Sequence, residues 1–399
     1  MTNKFYFFDS NALKNFHKRI FFSITIFVFI YFIVFFRIVD VMILEKVINL
    51  NNDIIQIKKR GNIYDRNGFL LSSTINTHSL SVNSTKLKNK KILSERLSSI
   101  IFIPKEKIDD LFNQNSRFVW LKRNISPREH QNIIDLGEIG LRIDKEKRRI
   151  YPYGNISSHV VGYTDTDGKG LSGIERGLNE SLSKGLDVHL SIDINLQQAV
   201  RKELTKIIDK FSADSGISIV IDITNGEIIS LNSFPDFDPN NKNTFKKNNL
   251  FNRVIQGNYE MGSIFKPLTI AMGIDKEIIN SEMIFDVSKP IKGIEDFHPF
   301  KGSYGVKDII VNSSNIGTAK IASMIGKKNQ IEFFSKIGFD DKINFEIKEA
   351  ALPLGNKNNW GKLETMTIGF GYGFAVTPLH LVNAYASLIN NGNKTNPTL

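Results

Sequence analysis

An unbroken run of 17 uncharged, mostly apolar residues, Ile20 to Phe36, constrains this chain more than any other stretch. A helix rises about 1.5 Å per residue, so the run nearly crosses a hydrocarbon core of roughly 30 Å. Ile38, Val39 and Val41 to Leu44 extend it past Arg37, whose long side chain can reach the interface. The run is apolar nearly all round, unlike the one-sided stripe of a helix on a soluble core. It is long for the core of a cleaved signal peptide, and no small-x-small cleavage site follows. An uncleaved anchor over 20–44 is therefore expected. Lys4, Lys14, Lys18 and Arg19 precede it against one acid, Asp9. The positive-inside rule keeps this 1–19 tail in the cytoplasm and sends the rest of the chain across the membrane.

The remaining 355 residues are too many for one ordinary domain. A membrane-proximal module over 45–190 and a second domain over 191–399 are expected. The net charge of +11 raises the question of nucleic acid. No zinc spacing, recognition helix or basic stripe interleaved with stacking aromatics supports it, so no nucleic-acid partner is expected. The chain has no cysteine, which excludes disulfides, thiolate catalysis and Cys-ligated metal.

Beyond the anchor, Glu45 to Ile57 reads as an amphipathic stalk. Asn67-Gly68 predicts a tight turn between short apolar strands. Residues 85–147 alternate short helices and strands, with Arg117–Leu121 read as a strand. Ser126-Pro127-Arg128-Glu129 predicts a capping box with Pro at the first helical position. Gly168 to Gly177 lacks phosphate-loop spacing and reads as a linker between modules. Asp193 predicts the cap of an amphipathic helix running from Ile194 to about Lys210. Thr224-Asn225-Gly226 joins two β-rich runs, Ile217–Ile223 and Glu227–Leu231, as a hairpin. Val306–Ile310 reads as helical, and Thr377-Pro378 opens a last helix to about Asn390. Helix, hairpin and helix in this order predict an α+β domain, an antiparallel sheet with helices packed on it.

The chemistry centres on Glu260-Met261-Gly262-Ser263-Ile264-Phe265-Lys266-Pro267. It reads as a loop entering a helix that ends near Met272. Residues three apart share a helix face, so the Lys266 amine can lie beside the Ser263 hydroxyl and remove its proton. The positive end of the helix favours the developing oxyanion. Ser-x-x-Lys recurs at Ser181–Lys184, but no apolar helix follows there. Ser313-Ser314-Asn315 supplies a hydroxyl able to relay a proton and an amide able to hold a peptide. Ser-x-Asn recurs at Ser81–Asn83 and at Ser230–Asn232, and context separates these copies, since only Ser313 ends a helical stretch past an apolar helix opened by serine. Glu295-Asp296-Phe297-His298 has no second ligand pair, so a zinc site is not expected, and no serine sits in a G-x-S-x-G elbow.

With these residues in hand, the chain resembles the class B penicillin-binding proteins of the FtsI type, septal peptidoglycan D,D-transpeptidases. Arg60-Gly61 with Asp65-Arg66 and Gly68, Arg149-Ile150-Tyr151-Pro152, Gly173-Ile174-Glu175 and Phe237-Asp238-Pro239-Asn240 fall in that family's order. Gly262-Ser263 with Lys266-Pro267, Ser313-Ser314-Asn315, and Gly371-Tyr372-Gly373 with Thr377-Pro378-Leu379 follow in turn. The resemblance implies a single-pass protein of the bacterial inner membrane with a periplasmic, serine β-lactamase-like transpeptidase domain at 191–399. It implies Ser263 as nucleophile, Lys266 as general base, Ser313 as proton relay, Asn315 as peptide holder, and Gly262 within the substrate-binding turn. Donor and acceptor stem peptides would be the substrates and β-lactams the inhibitors. An FtsW-type glycan polymerase and other divisome proteins would be partners, with no metal or organic cofactor.

The family's third motif, Lys-Thr/Ser-Gly, is not matched, because Lys394-Thr395 is followed by Asn396 and lies too close to Tyr372. The chain reads as truncated before that strand. Slow acylation and poor turnover are then expected, since one lost oxyanion donor costs on the order of 10²–10³ in rate. Labelling of Ser263 by a fluorescent penicillin at an ordinary rate would oppose that expectation. The alternatives are an elongation-specific relative, against which the short 72–147 stretch argues, and a penicillin-binding receptor or scaffold that does not turn over. A carboxypeptidase would release D-Ala without cross-linking, and a β-lactamase lacks an acid placed to activate water.

Overall fold

The computed structural model describes residues 10–40, 59–355 and 360–399. They fall into two units, Met1–Lys59 and Arg60–Leu399. Among the described residues the first contains one helix, Ser10–Val39. The best 18-residue window within Lys14–Val39 has a mean hydropathy of 2.5, and none of its residues is buried in the protein. The 26 residues of Lys14–Val39 extend about 39 Å, enough to cross a bilayer with some tilt. The expected 41–44 end of the anchor and the Glu45–Ile57 stalk lie outside the described residues.

The second unit is α+β. β1 (Ile63–Tyr64), β2 (Leu70–Val82), β3 (Val119–Ile125), β4 (Leu141–Ile150) and β5 (Val188–His189) form one sheet. β2 is its spine, pairing antiparallel with β1, β3 and β4, while β5 pairs parallel to β1. The Asn67-Gly68 turn is present. The Asp65 carboxylate fixes it by accepting the N–H groups of Asn67 and Phe69, each at 2.8 Å. Its other oxygen accepts from Ile194 N–H and so ties the hairpin to the Ile194–Phe211 helix. Helices Lys90–Ile101, Lys105–Asn113 and Pro127–Asp135 cover the far end of the sheet. Their apolar sides meet Leu80, Val82, Leu121 and Ile125 in a small core. The Ser126 capping box forms with both of its hydrogen bonds.

Gly168 to Gly177 is not a linker. Gly173–Gly177 is one helical turn whose Glu175 side chain is fully buried. Arg60 and Arg149 both reach this carboxylate at 2.7 Å, and Ser72 Oγ donates to it at 3.0 Å. Arg60 also bonds Asn179 Oδ1 and the Glu175 carbonyl. An isolated carboxylate would not tolerate this burial, and the two guanidiniums make it possible. The same region supplies Tyr151, Val160, Val161 and Ile174 to a core that continues through Leu231, Val254 and Leu379. Module and following domain are therefore welded by a shared core.

β6 (Gly216–Ile221) and β7 (Ile228–Phe234) form the expected hairpin, with β6 ending two residues earlier than expected and β7 running three residues further. Thr398 bridges to Glu227 in parallel, so the last residues lie along the start of β7. The short strands β8 (Tyr259–Glu260), β9 (Ile284–Asp286), β10 (Ser303–Gly305) and β11 (Ala375–Val376) form two small ribbons, β8 with β11 and β9 with β10. Helices Lys266–Asp275, Asn315–Lys336, Lys362–Gly369 and Pro378–Ile389 enclose a core of Phe265, Leu268, Phe334, Phe339, Trp360 and Phe374.

Replacing Glu175 by Ala leaves two guanidiniums buried without their carboxylate. A loss of about 3–5 kcal/mol of stability is expected in urea unfolding, the range for breaking a buried pair. A loss below about 1 kcal/mol would show that the ion cluster is not what holds the strands of the module together.

Candidate active site

Ser263 does not start an α-helix directly, as the sequence suggested. Gly262–Phe265 is a 3₁₀ turn, and the α-helix begins at Lys266 with Pro267 in its first turn. The tighter turn improves the geometry, since three residues per turn place positions 263 and 266 in line. Phe265 and Lys266 are buried while Ser263 is exposed, so the turn shows its hydroxyl to solvent and its amine to the interior. Among the described residues Ser263 Oγ has no hydrogen-bond partner, which leaves it free for a bound molecule.

The turn is held from behind by backbone. Gly262 N–H donates to Gly371 O at 3.0 Å. Gly371 has φ +90°, and a Cβ there would fall 2.1 Å from Gly262 O, so only glycine allows this approach. β8 and β11 pair just beside it, and Glu260 accepts from Gly373 N–H at 2.7 Å. Tyr385 Oη–H donates to Ile264 O. The Gly371-Tyr372-Gly373 passage thus works as a clamp on the serine turn.

Lys266 is 2% exposed. Its Nζ donates to Ser313 O at 2.5 Å and lies 2.8 Å from Ser313 Oγ. Both contacts come from one residue because Ser313 has φ +52° and ends the Val306–Val311 helix in the left-handed conformation usually taken by glycine. A side chain there costs about 1–2 kcal/mol, which marks Ser313 as a residue kept for its hydroxyl. Burial pushes the Lys266 amine down to about 8, opposed by the negative charge of Asp296. A neutral fraction then exists near neutral pH, as a general base requires.

Ser314 and Asn315 carry the geometry one step outward. Ser314 is buried and caps the Asn315–Lys336 helix through Gly317 N–H at 2.9 Å. Its hydroxyl donates to Asp296 Oδ2 at 2.7 Å, and Ile316 N–H donates to Asp296 Oδ1 at 2.9 Å. Asn315 Nδ2 donates to Glu295 O at 3.0 Å, so its donor end is already engaged and its oxygen retains the free capacity. Asp296 is the residue that sequence reasoning missed. It was weighed only as part of a metal spacing, and its contacts lie 18 and 20 residues away.

The competing motifs separate cleanly. Lys184 is exposed and pairs with Glu180, while Ser183 Oγ donates to the Glu180 carbonyl. Ser230 is fully buried and donates to Gln197 Oε1 at 2.9 Å. Of these motif copies among the described residues, Ser263, Lys266 and Ser313 alone combine an exposed hydroxyl, a buried amine and a second hydroxyl.

Residues 56–192 match the penicillin-binding protein dimerisation domain, and residues 216–399 match the penicillin-binding protein transpeptidase domain. The chain belongs to the penicillin-binding proteins. Among curated relatives, the probable peptidoglycan D,D-transpeptidase FtsI of Caulobacter vibrioides is 31% identical over 84% of this chain and 58% of its own length. The probable peptidoglycan D,D-transpeptidase PenA of Neisseria meningitidis is 30% identical over 84% and 63%. The peptidoglycan D,D-transpeptidase FtsI of Escherichia coli is 25% identical over the same shares. This penicillin-binding protein thus spans about three-fifths of the length of these relatives.

Two expectations follow from the geometry. Ser313→Gly removes the hydroxyl while relieving the left-handed backbone. It should leave the melting temperature unchanged or raised and slow acylation of Ser263 by penicillin by roughly 10²-fold or more. An unslowed variant would remove Ser313 from the chemistry. Asp296→Asn deletes the charge that holds the Lys266 amine up. The acid limb of the acylation rate, expected near pH 8 for the unaltered protein, should move to lower pH, and a limb that stays in place would show that Asp296 does not act on Lys266.

Proposed function

We propose that this chain is a serine-type peptidoglycan D,D-transpeptidase acting at the division septum. The observation that carries the reading is the buried, pKa-lowered Lys266 amine bonded to Ser313, one turn from an exposed Ser263. In this mechanism Ser263 Oγ attacks the carbonyl between the two terminal D-alanines of a donor stem peptide. Lys266 takes the hydroxyl proton, and the oxyanion is met by backbone N–H groups that include that of Ser263. The proton passes through the Ser313 hydroxyl to the departing D-Ala amine, and the C–N bond breaks. An acyl-serine ester remains. The amine of an acceptor stem peptide attacks it, loses its proton to Lys266 and releases Ser263, so one amide replaces another without redox change. Asn315 offers its free oxygen to an N–H of the bound peptide, and Gly262 shapes the turn beneath it. β-Lactams acylate Ser263 as mimics of the donor.

The apolar helix is read as a single-pass anchor in the bacterial inner membrane, with the Arg60–Leu399 unit in the periplasm. The basic residues before the helix support that orientation. The septal role, with an FtsW-type glycan polymerase and divisome proteins as partners, is supported by the FtsI names of the relatives in Caulobacter vibrioides and Escherichia coli.

The test is acyl transfer followed by intact mass. Incubation with a penicillin should add one penicilloyl group at Ser263, and Ser263→Ala should abolish it. A pentapeptide donor with an amine acceptor should give the cross-linked product and free D-Ala. Acylation at another residue, or hydrolysis of the donor without any transfer to the acceptor, would contradict the proposal.

A further inference from the structure

A second site lies at the base of the module, outside the catalytic chemistry. A cavity of about 260 Å³ opens between β4, the loop at Thr164–Thr166 and the loop at Pro239–Lys242. Five cationic side chains line it against two carboxylates. Glu146 is already occupied, and Asp165 is engaged through one oxygen. Glu146 pairs with Arg123 at 2.8 Å and accepts from Ser79, while Asp165 Oδ1 accepts the N–H groups of Asp167 and Lys169 in its own turn. The side chains of Arg148 and Lys242 have no hydrogen-bond or ion-pair partner among the described residues. Arg149 forms part of the wall with its side chain 4% exposed. Its Nε is spent on Glu175, but its Nη2 has no partner. Behind the wall, two buried guanidiniums share the single Glu175 carboxylate. The cluster therefore keeps a surplus positive charge and an unmet N–H, at a place where burial makes both costly.

We infer that this cavity binds a compact oxyanion, a phosphate or carboxylate group, held by Arg148 and Lys242 in front of the surplus charge of the Arg60–Arg149–Glu175 cluster. A guanidinium presents N–H groups in the fork that such anions accept. The volume suits one anionic group with a neighbouring sugar or residue and lies below the range of about 300–1,000 Å³ usual for drug-sized ligands. The same chemistry could come from a lipid-linked diphosphate or from a carboxylate on a glycopeptide, so both are probed. In the second case the site would engage the substrate strand proposed above at a point remote in sequence from Ser263, and it rests on that reading. The anion site itself does not.

The experiment titrates the full chain in neutral detergent with inorganic pyrophosphate and, separately, with a muramyl dipeptide bearing a free carboxylate, at low salt. Calorimetry or a thermal shift reads the binding. At least one probe should bind and raise the melting temperature. Arg148→Ala with Lys242→Ala should weaken that binding about tenfold while leaving the ligand-free melting temperature unchanged. Added salt should weaken the unaltered protein's binding. Pyrophosphate alone points to the lipid-linked source, the dipeptide alone to the glycopeptide, and both to the bare anion. Failure of both probes to bind at about 10 mM, or equal binding by the double variant, overturns the inference. Penicillin labelling of Ser263 in parallel reports separately on the transpeptidase reading.

Discussion

A lysine amine is costly to bury, and the site is organised around bearing that cost at Lys266. Burial alone drives the amine toward its neutral form. Ser313 O then accepts one of its hydrogens, and a carbonyl cannot return a proton. The same nitrogen stands 2.8 Å from Ser313 Oγ. Asp296 works against burial and stops the shift near 8, inside the range a base at neutral pH can use. Without the left-handed turn at Ser313 the two contacts could not come from one residue.

The buried carboxylate of Glu175 has the corresponding place in the scaffold. It gathers Arg60 from before β1, Arg149 from the end of β4 and Ser72 from β2. The core beside it passes without a break into the domain that carries Ser263. The module's own strands are thus gathered by charge, while apolar packing fastens it to the domain. Two cations for one acid also leave a surplus positive charge behind the cavity inferred to take an anion.

What the sequence discloses follows the range of the interaction. The caps at Ser126, Asp193 and Thr377 form as expected because each depends on residues two or three apart. The Ser263–Lys266 spacing is local too, and so is the Asn67-Gly68 turn. The 3₁₀ start at Gly262 is not, since Gly371, more than a hundred residues on, fixes it by backbone contact. Glu175 reads as a linker residue in sequence for the same reason: its partners lie 115 and 26 residues away. Asp296 sat in a spacing that suggested metal, and its place beside Ser314 comes from tertiary packing. The order of motifs disclosed the family, while the groups that tune the motifs became visible only in three dimensions.

The central claim is that Lys266 is available as a neutral base because the fold buries it. The most direct test is to follow the Nζ resonance of isotopically labelled Lys266 through a pH titration in the intact chain, assigned by comparison with Lys266→Arg. The account predicts a midpoint near 8. A midpoint at the ordinary lysine value of about 10.4 would contradict it and return the catalytic base to some other group.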